Sequence, residues 1–192
     1  MIAILKYNAG NVTSVENAIN KLGYSTVITD DNSILESADK VIFPGVGEAG
    51  SAMRHLKEKG LDEVIKALKQ PVLGICLGMQ LMCTYSEEGD TLGLGIFETQ
   101  VKQFPPKDLV PHTGWNNFTS MKSKLFENIQ ARNDFYFVHS YYAEICKETI
   151  AVTDYILPFS AALKKDNFYA TQFHPEKSAD VGIQLLKNFL KL

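Results

Sequence analysis

From Ile2 to Cys76 the sequence repeats one rhythm: a short apolar run, a helical pattern, then another short apolar run. Ile2 to Leu5 precedes a helical stretch from Ser14 to Leu22 that stops at Gly23, and Ser25 to Ile28 follows. Val41-Ile42-Phe43 ends at Pro44, the stretch around Ala52 to Lys69 reads as helix, and Pro71-Val72-Leu73-Gly74-Ile75 leads into Cys76. Strands separated by helices are joined by right-handed crossovers, so this half predicts a parallel sheet.

The second half changes character. Phe135 to Tyr142, Thr149 to Ile156, Ala161 to Lys164 and Phe168 to Phe173 read as strands in succession, some of them paired antiparallel. Lys165-Asp166-Asn167 supplies a hairpin turn between the last two. Val181, Leu185, Leu186, Phe189 and Leu190 then recur at the spacing of a helix with one buried stripe. The expected fold is α/β: a mostly parallel central sheet flanked by helices, with antiparallel strands in the C-terminal half. A length of 192 residues, with no repeat, low-complexity tract or linker, predicts a single domain over 1–192.

Composition narrows the function classes. Nineteen basic residues against twenty-two acidic ones leave a net charge of -3, without the cationic block that nucleic-acid binding needs. Apolar runs fall well short of the roughly 18 residues that suggest a membrane span, and no signal peptide precedes the first strand. Cys76, Cys83 and Cys146 match neither a disulfide framework nor a zinc motif. These features predict a cytoplasmic protein with no metal and no cofactor.

Three segments carry chemistry. Gly74-Ile75-Cys76-Leu77-Gly78 sets a thiol between two glycines where a strand gives way to a helical pattern beginning near Met79. A sharp turn there exposes a nucleophile, and a helix start favours its thiolate. The bland alternative is a buried structural cysteine, which is the reading for Cys83, placed in the apolar helix after the turn. At the end of the last strand, Gln172-Phe173-His174-Pro175-Glu176 places His174 and Glu176 two apart, on one side of an extended chain. His174 can then take the thiol proton while Glu176 orients the ring; a surface histidine beside a solvated acid is the other reading. Phe43-Pro44-Gly45-Val46-Gly47 offers backbone N–H groups for an oxyanion, or else an ordinary strand-to-helix turn. All three lie just past strand ends, where open α/β sheets place ligands.

With Pro-Gly-Val-Gly, Gly-Ile-Cys-Leu-Gly-Met-Gln and Gln-Phe-His-Pro-Glu-Lys-Ser in this order, the chain resembles the class I (triad) glutamine amidotransferases. Ala9-Gly10-Asn11, Gly114-Trp115-Asn116, Tyr136-Phe137-Val138-His139-Ser140-Tyr141 and Lys187-Asn188-Phe189-Leu190 are similar to the glutaminase subunits of histidine biosynthesis. The resemblance implies that Cys76 attacks the side-chain amide of glutamine and that His174 protonates the departing ammonia. It implies that Gln80, Glu88, Ser140 and Tyr141 hold the substrate and that Gly45, Val46 and Gly47 form the oxyanion segment. It further implies a heterodimer with a (βα)8-barrel cyclase, which uses the ammonia to make imidazole glycerol phosphate and an aminoimidazole carboxamide ribotide. Tyr136 and Lys177 are the interface residues expected. The alternatives are a paralogous glutaminase supplying another synthase and a catalytically silent binding subunit.

Overall fold

The computed structural model describes residues 1–7 and 10–192. Asn8 and Ala9, the second of them in the Ala9-Gly10-Asn11 motif, lie outside the described residues. The first half runs β1 (Ile2–Leu5), α1 (Val12–Lys21), β2 (Thr26–Thr29), α2 (Asn32–Ser37), β3 (Lys40–Phe43), α3 (Ala49–Glu58), α4 (Leu61–Ala67), β4 (Val72–Ile75) and α5 (Leu77–Met82). After it come β5 (Cys83–Ser86), β6 (Thr91–Leu92), β7 (Phe97–Gln103), β8 (His112–Asn116), β9 (Ser120–Met121), β10 (Phe135–His139) and β11 (Tyr141–Ala143). The chain closes with β12 (Thr149–Tyr155), β13 (Leu157–Lys165), β14 (Phe168–Thr171) and α6 (Ala179–Leu190).

Among the described residues, the main sheet has the order β2-β1-β3-β4-β14-β13-β12-β9. Its pairs are parallel from β2 through β14 and antiparallel from β14 through β9. The parallel half with crossover helices and the antiparallel second half therefore match the sequence expectation. Strand pleating divides the core in two. Ile2 and Ile4 of β1 face one way, into a cluster with Val15 and Ile19 of α1 and Leu185 and Phe189 of α6. Ala3 and Leu5 face the other way, with Met53 and Leu56 of α3 and Val41 and Phe43 of β3. Because both faces are covered, β1 and β4 are buried along their whole length. Each fully buried Phe, Leu or Ile stabilises the fold by about 1.5–3 kcal/mol relative to exposure.

Three local expectations are corrected and one helix is added. The helix expected over Ala52 to Lys69 is two helices, because Gly60 turns left-handed (φ 67) between α3 and α4. The strand expected over Phe135 to Tyr142 is split at Ser140: β10 pairs with β8, whereas β11 pairs with β7 in a four-stranded sheet, β11-β7-β5-β6. The helix after Cys76 starts at Leu77 and spans six residues, so Cys83 opens a strand, fully buried, instead of continuing a helix. Finally, α2 went unpredicted because it buries Leu35 alone and so has no apolar period; Asp31 nucleates it by accepting from the N–H groups of Ser33 and Ile34.

Candidate functional site

Since β3, β4 and β14 are adjacent and parallel, their C-terminal ends open side by side. Register then delivers Pro44-Gly45, Cys76 and Gln172 to one place. Cys76 follows β4 with φ 54 and ψ -108, and its N–H donates to the Thr171 carbonyl of β14 at 2.7 Å. A side chain held at such a φ costs on the order of 1–3 kcal/mol, which the surrounding fold must impose. The flanking glycines are steric necessities: a Cβ on Gly78 would run into the Phe43 carbonyl, and one on Gly74 would sit 3.0 Å from the Met79 nitrogen.

His174 comes from the segment after β14 and is fully buried. Its N–H donates to the Tyr136 carbonyl at 2.9 Å, and its carbonyl accepts from the Ser178 hydroxyl at 2.6 Å. β14 ends at Thr171, short of the strand end expected here, and Glu176 does not follow His174 in extended chain: Pro175 begins a single 3-10 turn, which folds Glu176 back so that its Oε1 lies 2.7 Å from His174 Nδ1. The Asn11 amide also donates to this oxygen. Burial alone would pull the His174 imidazole down; the Cys76 sulfur beside it, through charge and contact, and Glu176 outweigh that and hold it up at about 10. The ring is therefore kept protonated when it faces a thiolate. In this unpartnered state His174 Nε2 is buried without a hydrogen bond and the thiol donates to the Val138 carbonyl at 3.9 Å; thiol, imidazole and carboxylate are nonetheless neighbours, a set of groups able to perform nucleophilic acyl transfer.

Cys76 opens onto a cavity of about 310 Å³ lined also by Val46, Gly47, Gln80, Glu88, Ser140 and Tyr141. Gly45 stands behind the wall, its carbonyl accepting from the Leu77 N–H at 3.3 Å. The Val46 carbonyl accepts from Gly10 N–H at 3.3 Å, and Gly47 needs its missing side chain for φ 138. Glu88 reads in sequence as a solvated acid to which only resemblance gives a role; it is instead half-buried, with Oε2 accepting from Ala49 N–H at 2.9 Å. Burial pushes its carboxyl up, the Ala49 bond pulls it back, and neighbouring Glu48 adds to the rise. Glu48 itself caps α3, accepting from Gly50 and Ser51 at 2.7 Å each. Glu88 alone of the two lines the cavity and makes one end of it fit for an ammonium group.

Two residues of the site received no role from sequence. Asn11 belongs to a motif there, and its position before a helix suggests nothing beyond a cap. Gln172 sits in the His174 motif, fully buried, with Nε2 3.7 Å from Cys76 Sγ. Among the described residues, no group of three His, Cys, Asp or Glu side chains is arranged to hold a metal, and no helix is long and apolar enough to cross a membrane.

A family model of the class-I glutamine amidotransferases matches residues 3–192. The chain belongs to the class-I glutamine amidotransferases. Over its full length this amidotransferase is 61% identical to the imidazole glycerol phosphate synthase subunit HisH of Bacteroides thetaiotaomicron and 59% identical to that of Bacteroides fragilis, covering 99% of each. The HisH subunit of Yersinia pseudotuberculosis is 47% identical over the same span. Among solved structures, PurLQS from Thermotoga maritima superposes with a TM-score of 0.72 at 13% identity, covering 99% of this chain and 97% of that one. A glutamine amidotransferase from Thermotoga maritima gives 0.65 at 18% identity, covering 99% and 82%. At those identities the likeness is one of fold.

Proposed function

We propose that this amidotransferase is the glutaminase subunit of an imidazole glycerol phosphate synthase, working as one domain in the cytoplasm. The observation that carries the reading is one cavity onto which Cys76 and Glu88 open, with the buried His174–Glu176 pair behind the sulfur. Full-length identity of 59–61% to HisH subunits supports the pathway.

Glutamine enters with its α-ammonium towards Glu88 and its side-chain amide at Cys76; Gln80, Ser140 and Tyr141 frame it. The Cys76 thiolate attacks the amide carbon, and the oxyanion forms towards the Gly45–Gly47 segment. His174, as imidazolium held by Glu176, gives its proton to the departing ammonia, leaving a thioester. His174 then takes a proton from water, whose attack releases glutamate and restores the thiolate. Ammonia passes to a cyclase subunit of (βα)8-barrel fold, which forms imidazole glycerol phosphate and aminoimidazole carboxamide ribotide. Trp115, 56% exposed and edge-on to Tyr136 at 5.9 Å, fits the face that docks this partner, with Lys177 nearby in sequence to His174.

One oxyanion donor is not free in the unpartnered chain, and the segment that would supply others is tied down. Leu77 N–H, the donor next to the nucleophile, is engaged by the Gly45 carbonyl, and the Val46 carbonyl is tied to Gly10. Turning the Gly45–Gly47 peptides would release Leu77 and bring N–H groups to the cavity. Docking of the liganded cyclase drives that turn, so the chain alone is nearly inactive. The test is alkylation of Cys76 by a glutamine-like electrophile, alone and with the liganded partner. Reaction of Cys76 no faster than Cys83 under both conditions would count against the reading.

A further inference from the structure

Beneath the cavity runs a chain of polar groups in which the acyl-transfer steps leave Gln172, His139, His112 and Asn116 unused. Both hydrogens of Gln80 Nε2 are committed, one to Gln172 Oε1 and one to the Tyr141 carbonyl, each at 3.0 Å. The same carbonyl faces His139 Nδ1 at 2.7 Å. A carbonyl only accepts, so His139 carries its proton on Nδ1, and a neutral ring then offers a lone pair at Nε2. That lone pair faces His112 Nδ1 at 3.1 Å, which makes His112 Nδ1 the donor and its Nε2 an acceptor. Asn116 Nδ2 lies 3.4 Å from this Nε2. The Asn116 amide cannot be reversed without loss, because Oδ1 accepts from Asn117 N–H at 2.8 Å and Nδ2 also donates to the Asp154 carbonyl at 3.2 Å. At the far end, Gln172 Nε2 donates to Cys76 Sγ at 3.7 Å.

One direction of donation satisfies every member: Asn116 to His112 to His139 to the Tyr141 carbonyl, and Gln80 through Gln172 to the sulfur. Changing either ring's tautomer sets lone pair against lone pair. A second proton on His139 sets N–H against N–H. The surroundings agree, for both rings are at least 95% buried. Tyr155 stacks on His112 at 3.9 Å, and Phe104 and Phe159 pack on His139 at 5.3 and 5.2 Å. The titratable groups around the pair are His174 with Cys76 beyond it, Tyr155 on β12, and Glu88 in the wall of the same cavity. Burial, and then the closeness of His112 and His174, pull His139 down to about 3 despite its bond to Tyr141, and burial pulls His112 down to about 4.

We propose that His112, His139 and Gln172 are positioning residues for glutamine hydrolysis: two neutral imidazoles of fixed tautomer hold the Tyr141 carbonyl and, through Gln80 and Gln172, keep the Cys76 sulfur in register with the strand that carries Trp115 and Asn116. The proposal rests on the glutaminase reading, but the tautomers can be read without turnover.

The test pairs steady-state kinetics of the cyclase complex with ¹⁵N-histidine spectra of the chain. His112→Leu should lower kcat roughly 10–100-fold, the usual loss when the partner orienting a functional group is removed. It should also move the acid limb of the rate profile to higher pH, since His139 Nε2 is left without its donor. His112→Asn restores an N–H near the Nδ1 position and should recover most of the rate. Gln172→Met, which keeps volume and drops the donor to sulfur, should show the same kcat loss with little change in KM, and it carries the test should His112→Leu fail to fold. In wild type, both rings should show Nδ1–H and a bare Nε2 down to about pH 5. A ring protonated on Nε2 at neutral pH, or wild-type kcat in Gln172→Met, overturns the relay. No turnover by the wild-type complex while the tautomers are as stated would overturn the glutaminase reading instead.

Discussion

His174 Nδ1 lies 2.7 Å from Glu176 Oε1, although Pro175 alone separates the two residues in sequence. A single turn, fixed by the proline and by Ser178 beneath the His174 carbonyl, brings carboxylate and ring together. Glu176→Gln keeps the size of the group but not the charge that stabilises the imidazolium. It should lower kcat for glutamine hydrolysis by about 10²–10⁴-fold with KM nearly unchanged, measured as glutamate release by the complex.

Asn11 donates to the same carboxylate oxygen from the start of α1. Its loss leaves Glu176 held by the ring alone. Asn11→Ala should cost roughly 10–100-fold in kcat while the far-ultraviolet circular dichroism stays that of wild type.

The left-handed backbone at Cys76 makes a thermodynamic prediction. Glycine accepts φ 54 without the strain that any Cβ incurs there, though it gives back part of the gain as unfolded-state entropy. Both Cys76→Gly and Cys76→Ala should be inactive. In denaturant melts, Cys76→Gly should nevertheless be the more stable of the two by about 1 kcal/mol.

Histidines in this chain pull stability in opposite directions with pH. His174 is raised, from an ordinary 6.5 to about 10, so its contribution is complete below about pH 6.5 and is lost as pH rises towards 10. Cys76→Ala removes a main cause of that rise, and the alkaline fall in melting temperature should shrink in this variant. His112 and His139 are lowered, to about 4 and about 3, so their contribution is present above about pH 6.5 and is lost as pH falls through those values. Acid unfolding should therefore steepen below pH 6.5, and replacing both rings should flatten it.

Much of the site was legible because strand ends announce themselves. Pro44 and the glycine pair around Cys76 each mark where a buried strand stops, Pro175 marks the turn that follows β14, and parallel pairing of β3, β4 and β14 does the rest. The break at Ser140 was not legible, since aromatic, strand-forming residues stand on both sides of it, and only the competing partners β8 and β7 divide the segment. The capping of α3 by Glu48 and the burial of Glu88 likewise depend on contacts across a turn that no periodicity records. Gln172 escaped for a similar reason: its role lies in its contacts with Gln80 and Cys76, 92 and 96 residues away.

Trp115 exposes 56% of its surface although it is the sole tryptophan of the chain. Exposed tryptophans of this kind anchor interfaces. Trp115→Ala should weaken cyclase binding by about 2 kcal/mol or more, read by titration calorimetry, while leaving the melting temperature of the free chain near wild type.

Glutamate release from glutamine tests the central claim most directly, measured for the chain alone, with the cyclase, and with the cyclase carrying its nucleotide ligand, using Cys76→Ala as control. Turnover should be close to background for the chain alone, appear with the liganded partner, and vanish in Cys76→Ala. Equal turnover with and without the partner, or turnover that survives in Cys76→Ala, would contradict it.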